Sequence, residues 1–533
     1  VGAFGDLPAV HLVDGADQVA ALKDADVVIC LAHLGVDAES APYRSTDLYA
    51  AVKGIDFIID GHSHTVMTAG PNGEAIQSTG TAFANIGVIT IDNATKKIVG
   101  NELKTIWHTE KNADGKSVTV VDYKTRDEKV AAAAKAIIDP IDKAYGEKFA
   151  VSKVELNGAK APNGNRDSET NNGDLITDAM VWKILQDKES LTVDADHVVA
   201  VTNGGGIRKA INPGDVTKKN INEVLPFGNT VVTIYITGAE LLEALEASTY
   251  CTPDAIGGFP QVSGINYTIS TAVAYDANAE TYPASTYYGP KSINRVTINS
   301  INGKEFKADD TYAVITNDFC GGGGDTYYAF AAATAKFDTG IPLDEVVMEY
   351  ITAELKGVIG KQYAAPQGRI LMNPFADVKA SSWFGKYVID LYNDGIINGT
   401  SATTYAPNDT LTWAAALKLL FVSHGDLKAA DATGADWSKN AIAKAAELGL
   451  VAADLDGAKA ISRLEFCQVA AKLNKLAESK TESKFTDCTD GYVMALVDAK
   501  VISGMTETTF EPAASLTRAQ IAKIIYQLNL IEK

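Results

Sequence analysis

Cysteine is scarce in this chain. It has five in 533 residues, and Cys30, Cys251, Cys320, Cys467 and Cys488 lie too far apart to form a Cys-x-x-Cys pair. That spacing carries no zinc-finger or disulfide-framework signal, the odd count leaves at least one thiol free, and the compartment is not legible from it. Long apolar runs are missing too: none approaches the roughly 18–20 residues that a membrane-spanning helix needs. Positive charge is in deficit, 47 Lys and Arg against 67 Asp and Glu, for a net charge of −20. That balance disfavours a nucleic-acid polymer as partner and leaves phosphate binding to local cationic sites. Val1-Gly2-Ala3-Phe4 offers no initiator Met, charged segment or apolar stretch of a signal peptide. The expectation is a leader already removed or a sequence that starts inside a longer protein. The length is enough for three or four domains.

Histidine is also rare, seven in all, yet three cluster at two strand ends. The run Ile55 to Ile59 reads as a buried strand that breaks at Asp60-Gly61 and delivers His62 and His64. Upstream, Asp26 to Ala32 reads as a second buried strand ending at His33. Loops at the carboxyl ends of buried strands are where open α/β sheets hold ligands. Imidazoles on such backbone suit a divalent metal, against the alternative of solvated or structural histidines.

Around these strands the pattern predicts short helices over Asp17–Leu22 and near Thr46–Lys53, with a loop at Pro42 between them. A hairpin is expected from Phe83–Ile91 and Lys97–Thr105 about Asn93-Ala94-Thr95. An Ala- and Lys-rich helix over Asp127–Tyr145 should kink or end at Pro140. Beyond residue 151, Asn171-Asn172-Gly173-Asp174 precedes and caps an apolar helix, Leu175–Leu185. Three buried strands then border glycine-rich turns. Val198–Thr202 runs into Asn203-Gly204-Gly205-Gly206-Ile207-Arg208, and Leu225-Pro226-Phe227-Gly228-Asn229 precedes Thr230–Ile236 and a helix, Gly238–Ser248. Tyr312–Thr316 opens onto Asn317-Asp318-Phe319-Cys320, four glycines and Asp325.

Backbone without Cβ atoms can approach a ligand closely, although such runs also serve as plain turns. Arg166 and Arg208 can offer bidentate donors to phosphate. Phe227 and Phe319, large rings in glycine-rich loops, could clamp a flat base or belong to a core. Asp325 could cap the next helix or accept a hydrogen bond from a sugar hydroxyl.

Taken together, the His33 strand, GHSHT at 61–65, NNGDLITDAM at 171–180, NGGGIR at 203–208, LPFGNT at 225–230 and DFCGGGGD at 318–325 make residues 1 to about 372 resemble the 5′-nucleotidase family. The resemblance implies a calcineurin-like metallophosphatase domain followed by a nucleotide-binding domain. It makes His33, His62 and His64 late ligands of a two-metal site (Zn, Mn, Mg or Ca). It further makes Arg166, Asn203 and Arg208 the residues that hold the nucleotide, Phe227 and Phe319 the base-stacking pair, and Asp325 the ribose contact. The family's Asp-x-His, bridging Asp and Asn-His-Glu do not precede His33. Catalytic His and Asp are therefore expected outside this chain, as the C-terminal part of a larger protein and inactive alone.

After Arg369 an internal repeat appears. Its copies begin at Phe375-Ala376-Asp377 and Phe485-Thr486-Asp487, with a degenerate copy between, from about Trp437 to Leu473. These resemble surface-layer homology (SLH) repeats, which implies anchoring to cell-wall polysaccharide. Arg463 and Arg518 match the family's anionic-sugar arginine, with Trp413 in its place in the first copy; the same residues could equally be packing positions.

The expected architecture is multidomain. A layered α/β segment, a truncated metallophosphatase, covers 1–125, and a connecting helix covers 126–150. An α+β nucleotide-binding domain covers 151–372, and all-α SLH repeats cover 373–430, 431–480 and 481–533. The expected function is metal-dependent hydrolysis of nucleotide phosphate monoesters at a bacterial cell surface, extracellular and cell-wall associated. The alternatives are a 2′,3′-cyclic-nucleotide phosphodiesterase, a nucleotide-sugar hydrolase, or a non-catalytic nucleotide-binding surface protein.

Overall fold

A computed structural model describes residues 19, 22, 24–37, 40, 41, 43–112, 117–122, 127–273, 291, 293–428 and 431–531. The chain forms two compact units. The first comprises Val1–Gly264, Ala277–Ile293 and Lys307–Gln367; the second comprises Ile265–Asp276, Asn294–Phe306 and Gly368–Lys533. The helix expected over Asp17–Leu22 falls largely outside the described residues, and Pro42 does so entirely.

At the front of the first unit, strands Ile29–Leu31, Phe57–Asp60 and Ile76–Thr79 lie parallel, and Val66–Met67 joins antiparallel. Phe57 and Ile58 are buried because this strand is central, whereas Leu31 on the edge strand is 83% exposed. The helix Ser45–Ala51 crosses between the first two strands. The expected hairpin forms from Asn85–Ile91 and Ile98–Thr105. Its turn is drawn tight by Asp92 Oδ1, which accepts from the N–H groups of Ala94 and Thr95 and from the Thr95 hydroxyl.

The helix Glu128–Tyr145, capped by Asp127, continues past Pro140, so the proline does not end it. None of its residues is buried. The carbonyl that Pro140 leaves without an N–H can therefore turn to water, which is the condition under which an interior proline is tolerated.

A five-stranded sheet forms the middle of this unit, in the order Pro260–Ser263, Val198–Asn203, Thr311–Asn317, Thr230–Thr237, Ala335–Pro342. Only Val198–Asn203 and Thr311–Asn317 run parallel to each other. Every residue of Val198–Asn203 is buried, as a continuous apolar run predicts for a central strand. The flanking helix begins earlier than expected. It spans Asn171–Leu185, and its cap is Thr170, whose hydroxyl accepts from the N–H of Gly173. The Asn-Asn-Gly-Asp run is thus the first helical turn. Asn171 there ties distant segments together, donating to the carbonyls of Glu155 and Tyr363 and accepting from Asn157 N.

The second unit holds a three-stranded sheet, Val296–Ile301, Ile265–Ser270 and Ile370–Asn373, and three helical hairpins. Long helices Trp413–His424, Arg463–Leu473 and Arg518–Asn529 alternate with partners that are shorter in the outer repeats and equally long in the middle one, Gly385–Asn393, Trp437–Glu447 and Gly491–Asp498. Each long helix packs on the next repeat's partner helix, and the last long helix returns to Gly385–Asn393, closing a ring. The ring is tied at its centre by backbone: Leu411 N–H donates to Leu516 O, Leu516 N–H to Ile461 O, and Ile461 N–H to Leu411 O. Thr412, Ser462 and Thr517 cap the long helices. The degenerate middle copy folds like the others because the apolar positions survive in it, with Phe466, Val469 and Ala470 buried.

Candidate functional site

His33 follows the edge strand and His62 follows the central one, and their rings meet edge to face with centroids 4.9 Å apart. The loops that carry them are joined by Asp60, which is 5% exposed. Its carboxylate accepts from Leu34 N at 3.1 Å, Gly61 N at 2.7 Å, His62 N at 3.3 Å and Ser45 Oγ at 2.9 Å. Burial pushes this carboxyl up, but hydrogen bonds from the Gly35, Gly61 and His62 backbone and from Ser45 outweigh it and hold it below the usual carboxylate range. Burial, then the neighbouring His33, lowers the His62 imidazole. His64 is exposed, with a left-handed backbone at φ 54°.

This donor set bears directly on the two-metal expectation. Two imidazoles converge, and Asp60 is consumed by its hydrogen bonds. Among the described residues no group of three or more His, Cys, Asp or Glu could hold a metal ion. Two divalent ions need more ligands than this, including a bridge between them. The residues described here do not fit a two-ion centre by themselves.

The sheet topology gathers the three glycine-rich loops. Asn203 pairs with Pro260, Ala200 with Ile315, and Val231 with Asn317. The ends of two strands and the start of a third therefore share one edge of the sheet. Phe227 and Phe319 both stand in solvent there, 60% and 42% exposed. They are loop rings rather than core rings. Asn203 and Asp325 are brought together from 122 residues apart: Asn203 Nδ2 donates to Asp325 Oδ2 at 2.7 Å, and both residues are buried. Asp325 has φ 50°, a left-handed conformation that Asp tolerates better than most side chains.

The glycines act differently from the expectation that they open backbone to a ligand. Gly204 N donates to Phe259 O and Gly205 N to Gly257 O, both at 2.7 Å. A Cβ on Gly204 would overlap the Asn165 carbonyl. A Cβ on Gly324 would lie 2.5 Å from the Phe319 ring. The bare backbone makes room for neighbouring loops and for an aromatic ring.

Arg208 Nη1 donates to Gly205 O, and its Cζ lies 5.5 Å from the Phe227 ring centroid. Burial lowers the His64 imidazole, and so do, in order, the charges of Arg208, Arg166 and Lys160. Positive charges carried by two other loops thus act on the histidine loop. Arg166 and Lys160 make no ion pair among the described residues. Arginine and lysine side chains of this kind suit a phosphate.

Sequence reasoning missed the residues that hold these loops in register. Asn317 Nδ2 donates to Thr202 Oγ1 and Asn203 Oδ1, while its Oδ1 caps the turn carrying Phe319 through Cys320 N. Asp318 Oδ1 accepts from Asn229 Nδ2 and Thr230 N, tying the Phe227 loop to the Phe319 turn. The available signal was short polar side chains immediately beside glycines and strand ends.

In the repeats, Arg463 and Arg518 are engaged by backbone. Arg463 Nε donates to Phe510 O and its Nη2 to Ser503 O; Arg518 Nε donates to Tyr405 O and its Nη2 to Asn398 O. Each guanidinium also lies over the ring of the aromatic whose carbonyl it engages, at 4.7 and 4.5 Å. Both arginines thus staple neighbouring repeats. Trp413, in the equivalent place, is buried, and its Nε1–H has no hydrogen-bond partner among the described residues.

Comparison with known proteins gives matches to two families. The family described as 5′-nucleotidase, C-terminal domain, matches residues 148–332, and S-layer homology domain matches 374–416 and 487–522. The Bacillus subtilis (strain 168) protein named Trifunctional nucleotide phosphoesterase protein YfkN is 32% identical over 360 residues, 64% of this chain and 21% of its own length. The 5′-nucleotidase of Rattus norvegicus is 27% identical over 376 residues, 66% of this chain and 60% of its own. The chain thus spans less than two thirds of either relative. A 5′-nucleotidase precursor structure from Thermus thermophilus superposes on 68% of this chain and 67% of its own, with 24% identity and a TM-score of 0.48. No helix among the described residues is long and apolar enough to cross a membrane.

Proposed function

From a chain that carries a 5′-nucleotidase C-terminal domain and S-layer homology domains, we propose a nucleotide-binding part of a cell-wall-anchored nucleotide phosphatase. In this reading Arg166 and Arg208 hold the phosphate, Phe227 and Phe319 stack the base, and Asn203 and Asp325 meet the ribose. The observation that carries it is the gathering of the three glycine-rich loops at one edge of the sheet, with Phe227 and Phe319 exposed, Arg208 Cζ 5.5 Å from the Phe227 ring centroid, and Asn203 joined to Asp325. His33, His62 and His64 contribute to a divalent-metal centre only together with donors outside those described. The SLH repeats hold the protein to cell-wall polysaccharide in a bacterial envelope. The segments proposed are 1–125, 126–150, 151–372, 373–430, 431–480 and 481–533.

On this reading residues 1–533 bind nucleotide and hydrolyse little of it, whereas the longer protein turns it over. The test is adenosine monophosphate hydrolysis and metal content of residues 1–533, with and without chelator. Two tightly held ions per chain with chelator-sensitive turnover would overturn the claim of inactivity. Failure of the chain to bind nucleotide would overturn the site itself. A second reading, a non-catalytic nucleotide-binding surface protein, is favoured by one observation: only two imidazoles meet at the histidine loops among the described residues. Hydrolysis by the longer protein separates the two.

A further inference from the structure

The strand Ala335–Pro342 ends the order of the five-stranded sheet, and among the described residues it has a strand neighbour on one side only, Thr230–Thr237. Ala335, Lys336, Phe337 and Asp338 are all exposed, Phe337 by 63%. An open strand edge is a template for another strand, and charged side chains usually deter such pairing. Here the charges are one lysine and one aspartate, set symmetrically about a phenylalanine.

The register decides which backbone groups face outward. Phe337 pairs with Thr233 and Ala335 with Tyr235. The carbonyls of Val231 and Tyr235 point toward this strand, since they accept from Thr339 Oγ1 at 2.8 Å and from Thr334 N at 3.3 Å. Alternate residues of a strand turn their backbone groups to the same side, so the carbonyl of Thr233 points that way too. Ala335 and Phe337 therefore spend their N–H and C=O groups on the inner neighbour, and those of Lys336 and Asp338 face the open edge. Beyond Asp338 the register shifts, with Thr230 opposite Pro342, and Gly340 at φ 67° leaves the strand conformation. The regular edge is thus 335 to 339, centred on Phe337.

Two such edges complement each other. An antiparallel pairing about a two-fold axis through Phe337 sets Lys336 of each copy opposite Asp338 of the other, in the hydrogen-bonded positions. The two phenylalanines then face one another in the closer, non-hydrogen-bonded position. Side chains directly opposite interact, so both charge pairs attract and the rings meet. Neither Lys336 nor Asp338 is in an ion pair among the described residues; Asp338 Oδ1 accepts from Gly340 N, which leaves Oδ2 for the lysine. A slip of two residues either way would set lysine against lysine or aspartate against aspartate. The register is therefore specified by charge.

We propose that this edge joins two copies of the chain in an isologous dimer, continuing the five-stranded sheet of each across the two-fold axis. The inference is independent of the nucleotide and cell-wall readings. Five residues a side bury less than a stable dimer needs, so the dimer is weak in dilute solution and forms where chains are held close together.

Disulfide trapping of the whole chain with diamide as oxidant tests the geometry. Cα atoms in a central non-hydrogen-bonded pair lie about 4.5 Å apart, within disulfide range. Phe337→Cys should therefore cross-link to a dimer beyond the background of the wild type. Lys336→Cys should not, because its two copies are diagonal neighbours about 7–8 Å apart. Sedimentation across a concentration series tests the charges with Phe337 intact. Lys336→Asp sets like charges opposite in both pairs and should weaken dimerisation roughly fivefold or more. The double variant Lys336→Asp/Asp338→Lys should restore it, and so should mixing Lys336→Asp with Asp338→Lys. That mixture guards against misfolding, since two damaged proteins would not rescue each other. No cross-link in Phe337→Cys above the wild type, or equal cross-linking in Lys336→Cys, would overturn the dimer. So would unchanged dimerisation in Lys336→Asp, a mixture that stays apart, or growth of the wild type into aggregates larger than two.

Discussion

Replacing Phe227 or Phe319 by alanine isolates the base-binding claim, because neither ring supports the core. At 60% and 42% exposure they contribute little burial, so each variant should melt at the wild-type temperature. Stacking a base on an aromatic ring contributes about 1–3 kcal/mol. At about 1.4 kcal/mol per tenfold in affinity, that is a loss of roughly 5- to 150-fold per ring. Phe227 has a second role, since Arg208 lies 5.5 Å from its centroid. Removing it also frees Arg208, at a cost of about 0.5–1 kcal/mol. Phe319→Ala carries no such cost and is the cleaner variant. Calorimetric titration with adenosine monophosphate and with ribose 5-phosphate separates the effects. Phe319→Ala should weaken the nucleotide and leave ribose 5-phosphate unchanged, whereas Phe227→Ala should weaken the nucleotide strongly and the sugar phosphate slightly. Equal losses for both ligands in Phe319→Ala, or no loss for either, would refute the clamp.

Other expectations follow from the titrating groups and the ring. The Asp60 carboxyl is held below its ordinary value, so its stabilising contribution is present above about pH 4 and disappears as pH falls through the folded value. Asp60→Asn should therefore flatten the acid limb of the unfolding profile, followed by circular dichroism. His197 behaves in the opposite sense. Hydrogen bonding to Asp196, then to Asp310 against the opposing effect of burial, raises its imidazole. That contribution is complete below about pH 6.5 and is lost as pH rises through the folded value. His197→Gln should remove this part of the pH dependence of melting, read between about pH 6 and 8. Arg463→Met strips donors from the buried carbonyl of Phe510 and should destabilise the helical ring by about 1–3 kcal/mol, read as a lower melting temperature.

The sequence by itself determined the elements and the kinds of chemistry. The apolar runs at Val198–Thr202 and Ile55–Ile59 read as buried strands, and buried strands form there at Val198–Asn203 and Phe57–Asp60. Glycine beside arginine, asparagine and phenylalanine marked the three loops that meet at one sheet edge. Local pattern sufficed there because periodicity, capping and turn chemistry act within a few residues. It did not suffice for roles set by distant partners. Asn171 looked like a cap and is a tie between Glu155 and Tyr363. The glycines of 203–208 looked ready for a ligand, yet their N–H groups go to Gly257 and Phe259. Nor could spacing show that Asp60 would be used up by four donors, or that Arg518 would engage the carbonyls of Tyr405 and Asn398. Those outcomes depend on which distant segments the sheets and the closed ring bring into contact, and only the packed chain decides that.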